Sequence, residues 1–281
     1  INSTGEIIWE TVIGGEIIDN AESATITNDG GVAVFGWTGS QNGDVSVNYG
    51  MYDMWLVKLN SDGDILWDKS YGTDDFDYGR AVIETSDGGF LIGGTSTIGN
   101  DGNLTCEPFN INAEAILLKL DSIGNIEWQN CYGGSSHDGF MSFLELNDGY
   151  LLLGYGESAD GDLTGSGWHG ESDNWIIKID FSGNIIWQKC YGGSRFEFSR
   201  NIFQDSDSSI IVIGNTESNN GDVSGNHSNS EFYNDIWFLK INNEGVVLTQ
   251  KCFGGIGDES IEYAAFQKSD NNYIIAAYTD F

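Results

Sequence analysis

One string keeps returning along this chain. Gly183-Asn184-Ile185-Ile186-Trp187-Gln188-Lys189-Cys190-Tyr191-Gly192-Gly193 has counterparts around Trp9, Trp67 and Trp128, and a last copy carries Thr249 where the others carry Trp. The copies lie about 60 residues apart, and self-similarity at one period means supersecondary units that bury their apolar faces only by stacking on each other. Residues 1–281 therefore read as one domain rather than one domain per copy.

Within each copy, four short apolar stretches are separated by Gly, Asp, Asn and Ser, and helical periodicity is absent. In the second full repeat the strands are expected at 80–84, 90–95, 115–120 and 126–132. The third stretch reads Met54-Trp55-Leu56-Val57-Lys58, Asn174-Trp175-Ile176-Ile177-Lys178 and Ile236-Trp237-Phe238-Leu239-Lys240 in its other copies, nearly continuous apolar runs that predict burial on both faces. The strand-four tryptophan reads as packing of the outer strand. Such units arranged around an axis are the blades of an all-β fold, a β-propeller of four-stranded antiparallel blades. First strands follow Asp19, Asp77, Asp138, Glu197 and Glu259. The chain opens on a fourth strand at 7–12 and closes on a first and a second, so the termini together supply a fifth blade lacking its third strand. The expectation is five blades closed by pairing of the N- and C-terminal strands, with 7–12 beside 273–278. An open solenoid, or a piece of a larger ring, is the alternative.

The order Tyr-Gly-Gly, an acid, Asp-Gly-Gly, Gly-x-Thr-x-Ser, Asp-x-Trp-x-x-Lys and Gly-x-Ile-x-Trp resembles the bacterial β-propeller repeats called SBBP and delta-60, found in large secreted and surface proteins of the Bacteroidota. The resemblance covers essentially the whole chain. It implies a secreted or cell-surface, outer-membrane-associated propeller, and it implies little about activity, because a fold hosts many functions.

The charge narrows the partners. With 11 Lys+Arg against 43 Asp+Glu the chain carries −32, which repels phosphate backbones and anionic lipid and attracts cations and basic partners. Nucleic-acid binding is disfavoured on this ground. No run approaches 18 apolar residues, so membrane insertion by a helix is not expected. A first residue that is Ile and an end within a repeat point to a processed protein or a fragment.

Cys131, Cys190 and Cys252 hold one place in successive repeats, too far apart to join, and read as small buried hydrophobes; Cys106 sits in a loop without counterpart. Lys58, Lys119, Lys178 and Lys240 share one site, Lys69, Lys189 and Lys251 another, and both sets read as structural ion pairs.

Two acidic sets are candidate sites. Asp19, Asp77, Asp138, Glu197 and Glu259 follow the Gly-Gly step at one offset, so they form a ring of carboxylates at the mouth of a channel. They cap turns or pair with a lysine of a neighbouring blade, recruit a cation, or serve as glycosidase-like acid and base. The loops around Asp44, Asp101, Asp160, Asp162 and Asp222 place oxygen ligands about a Gly as a calcium loop begins, with a second acid later at Asp53, Glu114, Asp173 and Asp235. Plain hydrogen-bonded turns are the other reading, so calcium is a possible ligand and no cofactor is required. His137, His169 and His227 show no ligand spacing and read as loop histidines in solvent. Trp168, Tyr49, Phe232 and Tyr233 in the variable loops either pack or stack on sugar rings. No catalytic residue set is singled out. The leading function is a non-enzymatic interaction or adhesion module with a protein or glycan partner. A glycan-binding propeller, or a glycan-active enzyme using Asp77, Asp138, Glu197 or Glu259, is the alternative.

Overall fold

The computed structural model describes residues 1, 3–97, 102–106, 113–228, 230–267 and 272–280. The chain groups into two compact units, 1–131 and 132–281. In unit 1, β1 (Asp19–Ile26), β2 (Val32–Thr38), β3 (Asp53–Leu59) and β4 (Ile65–Tyr71) form one antiparallel sheet in chain order. A second sheet follows: β5 (Asp77–Glu84), β6 (Phe90–Thr97), β7 (Ala113–Leu120) and β8 (Ile126–Tyr132), whose last residue opens unit 2. Unit 2 repeats the pattern with β9 (Asp138–Leu146), β10 (Gly149–Gly156), β11 (Asp173–Ile179) and β12 (Ile185–Tyr191). It continues with β13 (Glu197–Gln204), β14 (Ile210–Thr216), β15 (Asp235–Ile241) and β16 (Val247–Phe253). The pair β17 (Asp258–Gln267) and β18 (Tyr273–Asp280) forms a sheet of two. The fold is all-β, a propeller-like series of four-stranded antiparallel sheets. Among the described residues the only helical turn is a 3-10 turn at Gly161–Leu163.

The third strands are the core. Every residue of β3 and β11 is buried, as are all but the first of β7 and most of β15, which accounts for their unbroken apolar sequence. Each such Leu, Ile or Val contributes about 1.5–3 kcal/mol of burial. The lysine within each third strand reaches the β-turn acid of its own sheet. Lys58 meets Asp29 at 2.9 Å, Lys119 meets Asp87 at 2.9 Å, Lys178 meets Asp148 at 2.7 Å and Lys240 meets Asp205 at 2.9 Å. The second lysine set behaves otherwise, in correction of its reading as ion pairs. Lys69 donates to Asn125 Oδ1 and Lys189 to the Gly245 carbonyl, both on the next repeat's turn, and Lys251 lies over Phe253.

Successive sheets are joined by an aromatic latch. The tyrosine ending the fourth strand donates its hydroxyl to the carbonyl of the next turn glycine at 2.7 Å: Tyr71 to Gly124, Tyr132 to Gly183 and Tyr191 to Gly245. The strand-four tryptophan lies on the same glycine, Trp67 on Gly124 and Trp187 on Gly245. These glycines have φ of +78°, +85° and +71°, a region that costs a residue with a Cβ, and at Gly124 and Gly245 the ring leaves a side chain little room.

Two expectations are corrected. Residues 7–12 form no strand, because no ladder partner lies beside them among the described residues. Cys106 and Cys131 are joined in a disulfide with Cα atoms 5.6 Å apart, while Cys190 and Cys252 are buried thiols. Repeat spacing rightly kept Cys131 from its own copies. It gave no sign that the loop would fold back beside β8, where the loop's Thr105 N–H bonds to Gln129 at 2.8 Å.

Candidate functional site

The five acids of the proposed ring begin the first strands of their sheets, and each is held by the turn before it. The N–H four residues back donates to the carboxylate in every copy: Gly15 to Asp19 at 2.7 Å, Thr73 to Asp77 at 2.7 Å, Gly134 to Asp138 at 2.8 Å, Gly193 to Glu197 at 2.8 Å and Gly255 to Glu259 at 3.0 Å. The other carboxylate oxygen takes a hydroxyl from the second strand, Thr38, Ser96, Thr216 or Thr279. At Asp138 it takes the Glu157 N–H. These acids clamp the entry to the first strand. Asp77, Asp138 and Glu197 are fully buried, and burial pushes their carboxyls up to about 6, about 6 and about 7. None makes an ion pair with a lysine among the described residues, which corrects the lysine pairing.

The Asx-Gly-Asx loops fasten the same turn from the other side. Asn42 Oδ1 accepts the Glu16 N–H, Asp160 Oδ1 the Ser135 N–H and Asn220 Oδ1 the Ser194 N–H, at 2.8–3.0 Å. Asp44 takes the Gly14 N–H at 3.1 Å, Asp162 the Gly133 N–H at 3.2 Å and Asp222 the Gly192 N–H at 3.4 Å. Asp101 lies outside the described residues, and its neighbour Asn103 receives the Gly72 N–H. The loop oxygens thus face backbone donors. Among the described residues no three or more His, Cys, Asp or Glu side chains converge as metal ligands.

The second acids are the surprise. Asp53, Asp173 and Asp235 are fully buried at the start of the third strands, and one oxygen of each receives a loop N–H: Tyr49 at 2.6 Å, His169 at 2.9 Å and His227 at 3.0 Å. Their other oxygens, the Oδ1 atoms, are buried without a partner. Burial pushes Asp53 up to about 7 and raises Asp173. His169 and His227 are not free in solvent as the sequence suggested. Their Nδ1 atoms lie 2.8 and 2.7 Å from Asp173 and Asp235, while His137 is 3.8 Å from Glu157. Parallel bridges between Tyr52 and Phe76 and between Ser172 and Phe196 bring β3 to β5 and β11 to β13, so that at these two places the second acid comes near the first. Period counting named both acids. Only the register placed them together.

Around this end of the sheets stand the side chains that break the repeat. Tyr49 and Met51 are exposed in unit 1, and Phe232 and Tyr233 in unit 2. Arg195, which has no cationic counterpart in the other copies, lies 4.5 Å over the Phe232 ring. A polar cleft beside it is lined by Arg195, Glu217, Asn219, Asn226, Ser228 and Ser230.

No family model matches the chain, and no curated protein matches it. Among solved structures, a protein of unknown function from Bacteroides caccae is similar over 90% of this chain and 73% of its own, at 14% identity and a TM-score of 0.46. A puromycin hydrolase is similar over 96% of this chain, at 11% identity and a TM-score of 0.52; this chain spans 38% of that one. The second likeness is one of fold.

Proposed function

We propose that this protein is a closed five-bladed propeller of the secreted SBBP and delta-60 kind, acting as a non-enzymatic binding module at the cell surface. The observation that carries the reading is the use of the acids. The carboxylates best placed for acid and base work are spent as backbone clamps, repeated in every sheet, whereas the symmetry-breaking Tyr49, Met51, Phe232 and Tyr233 stand exposed. A binding face needs the second kind of residue, and hydrolysis needs the first kind free.

Closure is supported within each unit. In unit 1 Trp9 lies on Gly63 as Trp67 lies on Gly124, so the N-terminal segment takes the place of a preceding outer strand. Beside it an apolar cavity of about 370 Å³ is lined by Trp9, Ile13, Val34, Trp55, Val57 and Leu59, a sheet face of the kind that packs on a neighbour. In unit 2, β17 and β18 form a two-stranded sheet lacking its outer members. Export is supported by the Cys106–Cys131 disulfide, since such bonds persist in oxidising compartments.

The test is a panel of polysaccharides and surface glycoproteins, read both for retention and for cleavage. Saturable retention lost on Phe232→Ala and Tyr233→Ala, with no product formed, is the expected result. Turnover abolished by Glu197→Gln would replace the module with an enzyme.

A further inference from the structure

The polar cleft of unit 2 lies between Arg195, the residues that follow β14, and the loop that carries Asn226, Ser228 and Ser230. Its volume of about 340 Å³ falls within the range of small-ligand sites, about 300–1,000 Å³. No aliphatic or aromatic side chain lines it among the described residues; asparagines, serines, two glutamates and Arg195 make its walls. Hydrogen bonds within the loop fix those walls. Asn219 Oδ1 accepts the Gly225 N–H at 3.0 Å, Asn226 donates to the Thr216 carbonyl at 3.2 Å and accepts the Ser228 N–H at 2.9 Å, and the Ser228 hydroxyl bonds the Ser230 carbonyl at 2.9 Å. A cleft already held in shape loses little entropy when it binds.

Two charged groups in it keep hydrogen-bonding capacity. Arg195 donates from Nε to the Glu231 carbonyl at 3.0 Å, and among the described residues its guanidinium makes no other hydrogen bond. Carboxylates of Glu171, Glu217 and Glu231 stand 3.8, 3.9 and 3.9 Å from its nitrogens, near enough to balance its charge and beyond hydrogen-bond reach. The Glu217 side chain is only 18% exposed, and its carboxylate accepts no hydrogen bond among the described residues. A donor fork and an acceptor thus stand side by side. The same guanidinium lies over the Phe232 ring, which is still 66% exposed.

We propose that this cleft binds a neutral carbohydrate, with neighbouring hydroxyls of a sugar held between Arg195 and Glu217 and Phe232 beside them as a platform for the ring. The assignment rests on the reading of the protein as a binding module and names what the module binds. A hydroxyl both donates and accepts, so a vicinal pair uses the guanidinium and the carboxylate together. Charge decides against other ligands. Three carboxylates surround one guanidinium in a chain of −32, which repels a phosphate, sulfate or uronate. A metal ion or a basic side chain would sit against the Arg195 cation, and no three or more His, Cys, Asp or Glu side chains converge as ligands among the described residues. The apolar anchor of a protein partner finds no apolar wall here. A sugar is uncharged, rich in hydroxyls and apolar on a ring face, which suits an exposed aromatic.

The test uses the whole protein with neutral oligosaccharides of glucose, mannose and galactose, and with oligogalacturonate and a heparin fragment as anionic arms, read by titration calorimetry and amide chemical shifts. Saturable binding of a neutral oligosaccharide is expected, with shifts concentrated at Arg195, Glu217, Asn226 and Ser230. Glu217→Ala, and Arg195→Lys, which keeps the charge and loses the fork, should each weaken it about tenfold, the scale of one lost charge-assisted hydrogen bond. Should the variants fail to fold, the wild-type shift map decides: shifts at the cleft support the proposal and shifts confined elsewhere refute it. Tighter binding of an anionic arm would overturn the ligand class. Sugar binding unchanged in both variants would overturn the cleft and leave the binding module standing. So would a failure to bind any sugar while a deglycosylated surface protein is still retained, whereas no retention of any partner would remove both.

Discussion

Trp9 lies across Gly63, with the indole Cε3 2.6 Å from where a Cβ at Gly63 would stand, so the first tryptophan is seated although its segment forms no strand. Gly63 has φ +88°, a left-handed conformation that alone disfavours a side chain. Gly63→Ala is expected to destabilise by about 1–2 kcal/mol, through backbone strain and the displaced ring. Trp9→Ala should cost a similar amount, and the two losses should fall short of additive because they break one contact. Denaturant titration of the two single variants and the double variant measures this.

Two thiols, not three or four, should react with a thiol reagent in the denatured, unreduced protein, because Cys190 and Cys252 are free and Cys106 and Cys131 are joined. Cys106→Ser should lower stability by about 3 kcal/mol, since the bridge closes a loop of moderate length in the unfolded chain. Four reactive thiols would show that the bond does not form.

Tyr191→Phe removes the hydroxyl that bonds the Gly245 carbonyl at 2.7 Å and leaves that buried acceptor to Lys189 alone. A loss of about 1–2 kcal/mol is expected, and Tyr71→Phe should lose as much at Gly124. Hydrogen exchange of the 242–246 turn reports the local effect. Unchanged stability in both variants would mean that the latch contributes packing alone.

Asp29→Ala strands the buried Lys58 ammonium on the Leu59 carbonyl and should destabilise by about 1–3 kcal/mol, with Lys58→Met restoring part of the loss. The Thr27 hydroxyl, the Gly31 amide and Lys58 together hold the Asp29 carboxyl well below the usual carboxylate range. A depressed acid stabilises above its ordinary titration range and fails as pH falls through its folded value. This clamp should therefore survive mild acid, read as ammonium–carboxylate contacts persisting in spectra at pH 3.

The period alone located the sheets, the buried third strands and the in-strand lysines, since those follow from local pattern and from the requirement that repeats share a core. It also numbered both acid sets, whose carboxylates hold backbone N–H groups of the turns and loops beside them. It misjudged Cys131, because a disulfide needs two loops to meet and the Cys106 loop has no copy elsewhere from which to read its path. It misjudged His169 and His227 for the same reason: nothing in the chain says that a variable loop returns its histidine to the carboxylate four or eight residues onward.

What the sequence determined by itself, then, is everything that depends on spacing along one strand or turn: strand order, burial alternation, the bare glycines and the acid before each first strand. What only the tertiary structure decided is what those acids do. The register between a third strand and the next first strand sets the buried Asp173 and Glu197 both against Gly192, and an acid's chemistry is set by its solvent and neighbours rather than by its place in the repeat.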